Sequence, residues 1–182
     1  MKNTTHKTAV VIIPPQETRV PIQAIRQKHD RKVGRWMPHI TLIYPFVPKS
    51  EFNRAARELL RACKSVSPFD VTLARFDAFA HGKGHHIVWL APEPADPVLD
   101  LHAALWSVVC EDEDIESGLR HFRPHLSVGQ VRGTANAATL VEELRANWSP
   151  VRFRVDSVHF IWRGEPPDDV FRVDRSLQLQ GR

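Results

Sequence analysis

One five-residue pattern occurs twice, as Pro38-His39-Ile40-Thr41-Leu42 and as Pro124-His125-Leu126-Ser127-Val128. Both read proline, histidine, aliphatic, hydroxyl, aliphatic. In a strand, side chains alternate between faces. His39 and Thr41 then share one face while Ile40 and Leu42 enter a core; His125 and Ser127 stand in the same relation to Leu126 and Val128. The leading prolines suit a strand start, since proline donates nothing to an internal ladder. The chain must therefore build two matching strands, each presenting an imidazole beside a hydroxyl. A lone strand histidine is ordinarily a half-buried residue bonded to a neighbour. Two matching units reverse that expectation.

The other elements interleave with these strands. Thr8 to Ile13 is apolar and β-branched and reads as a buried strand. Pro21 opens a helical stretch carrying Ile22 and Ile25. Arg35 to Phe46 reads as a strand closed by Pro45 and Pro48. Ser50 is placed to cap a helix with Phe52, Ala56, Leu59, Leu60 and Cys63 on one face. Phe69, Val71, Leu73 and Phe76 alternate as a strand, His81 to His85 forms a turn, and Ile87 to Ala91 is the next strand. Asp96-Pro97 starts a helix, continued by Leu101, Leu105, Val108 and Val109. Arg120 to Val128 reads as a strand, Thr134 as the cap of a helix, Val151 to Trp162 as one strand and Val170 to Leu179 as the last. Several strands follow one another through short turns, which favours α+β with antiparallel pairing over a doubly wound parallel sheet.

Composition sets limits. Apolar residues make up 42% and charged residues 25% of 182, enough for a core without disulfides or a structural metal. Fibrous and disordered classes are excluded. The early apolar run Ala9 to Ile13 is too short for a membrane span or a signal-peptide core, so a cytoplasmic protein without membrane partners is expected. The formal charge of +4 is carried with no dense basic run, and reads as a solubility feature. Cys63 and Cys110 lie far apart on apolar helix faces and read as buried thiols. The acidic stretch Glu111 to Glu116 reads as a solvated loop.

Two imidazoles beside two hydroxyls suggest a chemistry. Imidazole titrates near pH 6.5, so one ring can be neutral while another is protonated. One takes a proton from a nucleophile and the other gives one to a leaving group. The hydroxyls donate to oxygens that gain charge. This set suits phosphodiester cleavage without a metal or other cofactor.

At these residues the sequence resembles the two-histidine phosphoesterase superfamily, the 2'-5' RNA ligase-like proteins, whose signature is a pair of His-x-Thr/Ser-x motifs. The resemblance implies residues 1–182 as a single bilobal α+β domain with one motif per lobe. It implies two antiparallel sheets with pseudo-twofold symmetry around a central cleft. It implies hydrolysis of a 2',3'-cyclic phosphate or related phosphodiester, on RNA ends or small cyclic nucleotides. A monomer is expected. His39 becomes the acid and His125 the base, roles that exchange with reaction direction. Many relatives hold an arginine five positions after a motif histidine. Tyr44 and Gln130 stand there instead, as uncharged hydrogen-bonding groups for substrate. Arg132 and Arg163 are candidate replacements, and position 127 is Ser rather than Thr. A non-catalytic nucleotide- or RNA-binding module of the same fold is the alternative.

Among aromatic residues, Trp36 and Tyr44 are the candidates for stacking a base, although strand parity puts them opposite His39. Phe46 and Phe122 read as core. His81, His85 and His86 surround a Gly-Lys-Gly turn, and adjacent His85 and His86 would diverge in a strand, so no metal site is expected there. His102 reads as a structural residue at an exposed helix position.

Overall fold

The computed structural model describes residues 3–109 and 121–181. The expectations for Cys110 and for Glu111 to Glu116 fall outside these residues; of the strand expected over Arg120 to Val128, only the part from Leu126 on is strand among the described residues. Along the described chain run β1 (Thr8–Ile12), α1 (Arg19–His29), β2 (Ile40–Ile43), α2 (Phe52–Ser65), β3 (Phe69–Ala80), β4 (His85–Glu93) and α3 (Asp96–Val109). After these come β5 (Leu126–Arg132), α4 (Thr134–Ala146), β6 (Val151–Val155), β7 (Ser157–Trp162) and β8 (Arg172–Gln178).

The strands form two four-stranded sheets, ordered β2-β1-β7-β8 and β5-β4-β3-β6. Every pairing between them is antiparallel, so the α+β class with two antiparallel sheets holds. The order strand, helix, strand, helix occurs twice, as β1-α1-β2-α2 and as β4-α3-β5-α4. In each round the strand that follows the motif histidine, β2 or β5, is a sheet edge.

The helices are exchanged between the sheets. α1 joins two strands of the first sheet but packs on β5 of the second, and α3 joins two strands of the second but packs on β2 of the first. β2 and β5 also touch, so the motif strands meet where the two halves interlock. Gly129 makes the α1–β5 approach possible: a Cβ there would lie 2.8 Å from the His29 Cβ and 3.2 Å from the His29 carbonyl oxygen.

Apolar alternation dictates the core. Val10, Ile12, Ile40 and Leu42 of the first sheet and Leu73, Val88, Leu90, Leu126 and Val128 of the second join one buried cluster with Phe52, Leu59 and Leu101. Phe46, Phe52 and Phe160 pack at its centre with ring centroids 5.1 to 5.9 Å apart. The opposite face of the first sheet has a smaller cluster of Ala9, Val11, Ile13, Ile161 and Phe171, covered by Trp36 and Met37. Phe46 and Cys63 are buried as expected, and burial pushes the Cys63 thiol up to about 11.

Several expectations need correction. The segment Arg35 to Phe46 is strand only over Ile40–Ile43, because Pro38 and Pro45 bracket the ladder. Val151 to Trp162 is two strands in different sheets. Ser50 lies in a 3-10 turn (Lys49–Glu51) ahead of α2, and Gly133, at φ 88°, rather than Thr134 is the residue before α4; neither cap position makes a side-chain bond. His102 is 4% exposed: Val98, His102 and Leu105 are spaced i, i+4, i+7 and so share the buried face.

Candidate functional site

The two motif histidines are held in the same way. The Nδ1–H of His39 donates to the Met37 carbonyl at 2.7 Å. The Nδ1–H of His125 donates to the Arg123 carbonyl, also at 2.7 Å. In each case the acceptor is two residues back, across the buried proline. A carbonyl can only accept, so each neutral ring is fixed with its proton on Nδ1 and a lone pair on Nε2. Neither Nε2 has a hydrogen-bond partner among the described residues, and neither do the hydroxyls of Thr41 and Ser127.

Both rings are kept neutral. Burial pushes His39 down to about 4, helped by the Arg26 guanidinium and by His125 and opposed by the Met37 carbonyl and Asp30. The two motifs meet through their strands: β2 touches β5, and Thr41 and His125 line one cavity. Burial also lowers His125, against its bond to the Arg123 carbonyl, and the Arg123 charge lowers it further.

A cavity of about 840 Å³ opens beside His125. Thr41, Leu42 and Tyr44 line it from the first half; Phe79, Arg123 and Pro124 from the second. Its far wall is aromatic, with His102, Trp106 and Phe122. His102 and Phe122 stack face to face, 3.7 Å apart and 7° from parallel. The His125 ring meets Phe79 edge-on at 5.2 Å. Arg123 lies 5.9 Å over the Trp89 ring. A pocket lined by the Arg123 guanidinium, the free Thr41 hydroxyl and several ring faces suits an anion attached to a flat group, although His39 and Ser127 are not among its lining residues.

The remaining candidates lie as follows. Tyr44 is 42% exposed and lines this cavity, its hydroxyl donating to the His6 carbonyl at 3.3 Å. Trp36 belongs to no strand, so the parity that put it opposite His39 does not apply. Its indole stacks on Phe171 at 3.7 Å and on the His39 ring at 4.8 Å. Gln130 is not among the cavity's lining residues. Its amide Nε2 donates to Asp30 and its Oε1 accepts from the Arg31 backbone, both at 2.9 Å. Arg163 lies over Phe171 at 5.6 Å. No three His, Cys, Asp or Glu residues gather to hold a metal among the described residues, and no described helix is long and apolar enough to cross a membrane.

Sequence reasoning missed Arg123, His102, Trp106 and Phe79. Arg123 carried one usable signal: it stands before a Pro-His pair, as Met37 does. The buried Arg26–Asp30 pair was also missed. Its side chains are 2% and 3% exposed, and Arg26 and Asp30 both act on His39.

Two interlocked antiparallel sheets, each with its edge strand led by a Pro-His-x-hydroxyl unit, define a two-histidine phosphoesterase fold. A family model for the 2'-5' RNA ligase superfamily matches residues 14–167, and the chain belongs to that superfamily. Its curated relatives include a protein of Geobacillus kaustophilus provisionally named a phosphoesterase, 26% identical over 166 residues that cover 87% of this chain and 89% of the relative. A Bacillus licheniformis protein with the same provisional name is 23% identical over 158 residues, covering 86% and 90%. Among solved structures, Thermus thermophilus TT0787 superposes with TM-score 0.65 at 19% identity, covering 97% of this chain and 99% of that one. E. coli LigT complexed with 3'-AMP gives 0.57 at 20% identity, with the same coverage.

Proposed function

We propose that the chain is a metal-independent phosphodiesterase that opens 2',3'-cyclic phosphates or related RNA and nucleotide phosphodiesters. One observation carries this reading: two imidazoles fixed in the same tautomer at the heads of two strands that touch, with both Nε2 lone pairs free. A phosphate monoanion bound between them offsets the burial that keeps them neutral and allows one ring to hold a proton. The family resemblance makes His39 the acid and His125 the base, roles that exchange with reaction direction; burial and a nearby arginine lower both rings alike.

His125 Nε2 takes a proton from water, and the water oxygen bonds to phosphorus. The bond from phosphorus to one ribose oxygen breaks, and His39 delivers its proton to that oxygen. The product is a phosphomonoester on the other ribose oxygen. Thr41 and Ser127 donate to the phosphoryl oxygens, whose negative charge grows in the transition state. The nucleoside occupies the cavity with Tyr44 and the aromatic wall. Nucleotide complexes of the structural neighbour LigT, with 3'-AMP, ATP and NADP+, support a nucleotide-sized ligand in this fold. The provisional phosphoesterase names of the curated relatives support the reaction class.

The test is hydrolysis of nucleoside 2',3'-cyclic phosphates with EDTA present. His39→Ala and His125→Ala should each lower kcat by a factor on the order of 10²–10⁴, the usual worth of an acid or base, with unchanged circular dichroism. Turnover that survives both changes sinks the proposal. Nucleotide binding without turnover would favour the binding-module alternative.

A further inference from the structure

At the end of α1 the chain makes a closed polar junction with β5. The Asp30 amide donates to the Arg26 carbonyl at 2.8 Å and ends the helix. Asp30 Oδ2 accepts from Arg26 Nε at 2.8 Å and from Nη2 at 2.7 Å. Asp30 Oδ1 accepts from Gln130 Nε2 at 2.9 Å and from the Lys32 amide at 2.8 Å. Gln130 Oε1 accepts from the Arg31 amide at 2.9 Å. Both carboxylate oxygens and both ends of the carboxamide are thus engaged.

We propose that Asp30 and Gln130 are positioning residues: they clasp the segment leading into His39 to the strand leading out of His125, and so set the separation of the two imidazoles. The inference rests on the two-histidine reaction proposed above. Its support is the placement of the junction. Residues 31–38 run from Asp30 through Trp36, which stacks on His39, and end at Met37 and Pro38, which fix that ring. On the other side Gln130 shares β5 with Ser127, next to His125. Each imidazole is therefore a few residues from one jaw of the clasp. Gly129 lets the jaws close to van der Waals contact at His29. Arg26 and Asp30 are buried and Gln130 is half-buried; a polar network satisfied at every atom in such a setting holds its members in place, and acid–base transfer between two groups is sensitive to their spacing. The charged or titratable groups that act on His39 are Arg26, His125 and Asp30, so the clasp carboxylate is also part of the field on that ring.

Gln130→Met keeps the chain length and removes both bonds. In turnover of a nucleoside 2',3'-cyclic phosphate, kcat should fall about tenfold with KM within about twofold of wild type, the pattern for a lost transition-state arrangement. The NMR titration midpoints of His39 and His125 should move. Gln130→Glu puts a carboxylate against Asp30 and should lose at least as much. Adding Asp30→Asn to Gln130→Glu restores one donor, one acceptor and one negative charge, and should recover part of kcat. Wild-type kcat and titration midpoints in Gln130→Met overturn the clasp, even if the melting temperature drops. If wild type turns over no cyclic phosphate, the proposed reaction fails. The histidine titrations then decide the clasp alone: moved midpoints keep it, unmoved ones end it.

Discussion

The imidazole of His39 lies 4.8 Å from the indole of Trp36, with the two planes 17° apart. Trp36 in turn rests on Phe171, so the histidine is backed by a two-ring stack. Burial is the largest cause of the drop of His39 to about 4. Trp36→Leu thins that cover and should move the midpoint up toward 6.5, whereas Trp36→Phe should leave it near 4. NMR titration of the ring protons reads this directly; an unmoved midpoint in Trp36→Leu would show that other groups bury the ring.

Both motif rings sit below 6.5. The pair holding a single proton is then populated on the acid side of that value, and only this state has an acid and a base together. For 2',3'-cyclic nucleotides, kcat/KM should peak below about pH 6.5 and fall as the pH is raised to about 8. An optimum at or above about pH 7.5 would contradict the electrostatics of the site.

The hydroxyls of Thr41 and Ser127 have no partner in the described protein, so removing them leaves no orphaned group. Thr41→Val and Ser127→Ala should fold as wild type and lower kcat by about 10²-fold each, the scale of one lost donor to a charged transition state. Steady-state kinetics beside thermal melts separate the two effects. Unchanged kcat in both variants would remove the hydroxyls from the mechanism.

Most of this arrangement was legible, and the misses have physical causes. The apolar, β-branched run at β1 and the alternation in β3 located strands, and the two Pro-His-x-hydroxyl units led to the family resemblance that implied the two antiparallel sheets. The β6–β7 break was visible in principle. Phe153 and Val155 are buried at odd positions, Val158 and Phe160 at even ones, so the phase of the pattern slips at Asp156, where the chain changes sheets. The bond from Gln130 to Asp30 lies beyond sequence reading, because sequence position names a neighbour along the chain, not the carboxylate that claims its amide across the fold. The cavity wall was hidden for a similar reason. His102, Trp106 and Phe122 each pass for helix or loop residues until the exchange of α3 onto β2 brings them opposite Thr41.

His102 should leave a mark on acid stability. Burial holds it down to about 4 in the folded chain, and His39 likewise. The unfolded chain binds these protons near 6.5, so between 6.5 and 4 it takes up more protons than the folded one. Stability is full above that window and is lost as pH falls through it. His102→Phe keeps an aromatic ring against Phe122 and removes one of these groups, leaving His39, His125 and His159, which burial also lowers. Its melting temperature should fall less than that of wild type between about pH 6.5 and pH 4.5. Parallel curves for the two proteins would mean that His102 protonates in the folded state.

Gly129→Ala tests how tightly the halves interlock. In an ordinary strand this change helps, by roughly 0.5–1 kcal/mol, because alanine has less freedom to lose. Here the new methyl would stand 2.8 Å from the His29 Cβ and 3.2 Å from the His29 carbonyl oxygen. Backbone cannot swing aside as a side-chain tip can, and the next residue, Asp30, is tied to Arg26 and Gln130. Overpacking of this kind costs about 1–3 kcal/mol, so urea denaturation should show a net loss despite the propensity gain. Relief of the clash by sliding α1 away would pull on the Asp30–Gln130 bond, so kcat on a cyclic phosphate should fall together with stability. A Gly129→Ala protein as stable and as active as wild type would mean that α1 and β5 have slack between them, and that the spacing of the two imidazoles is set elsewhere.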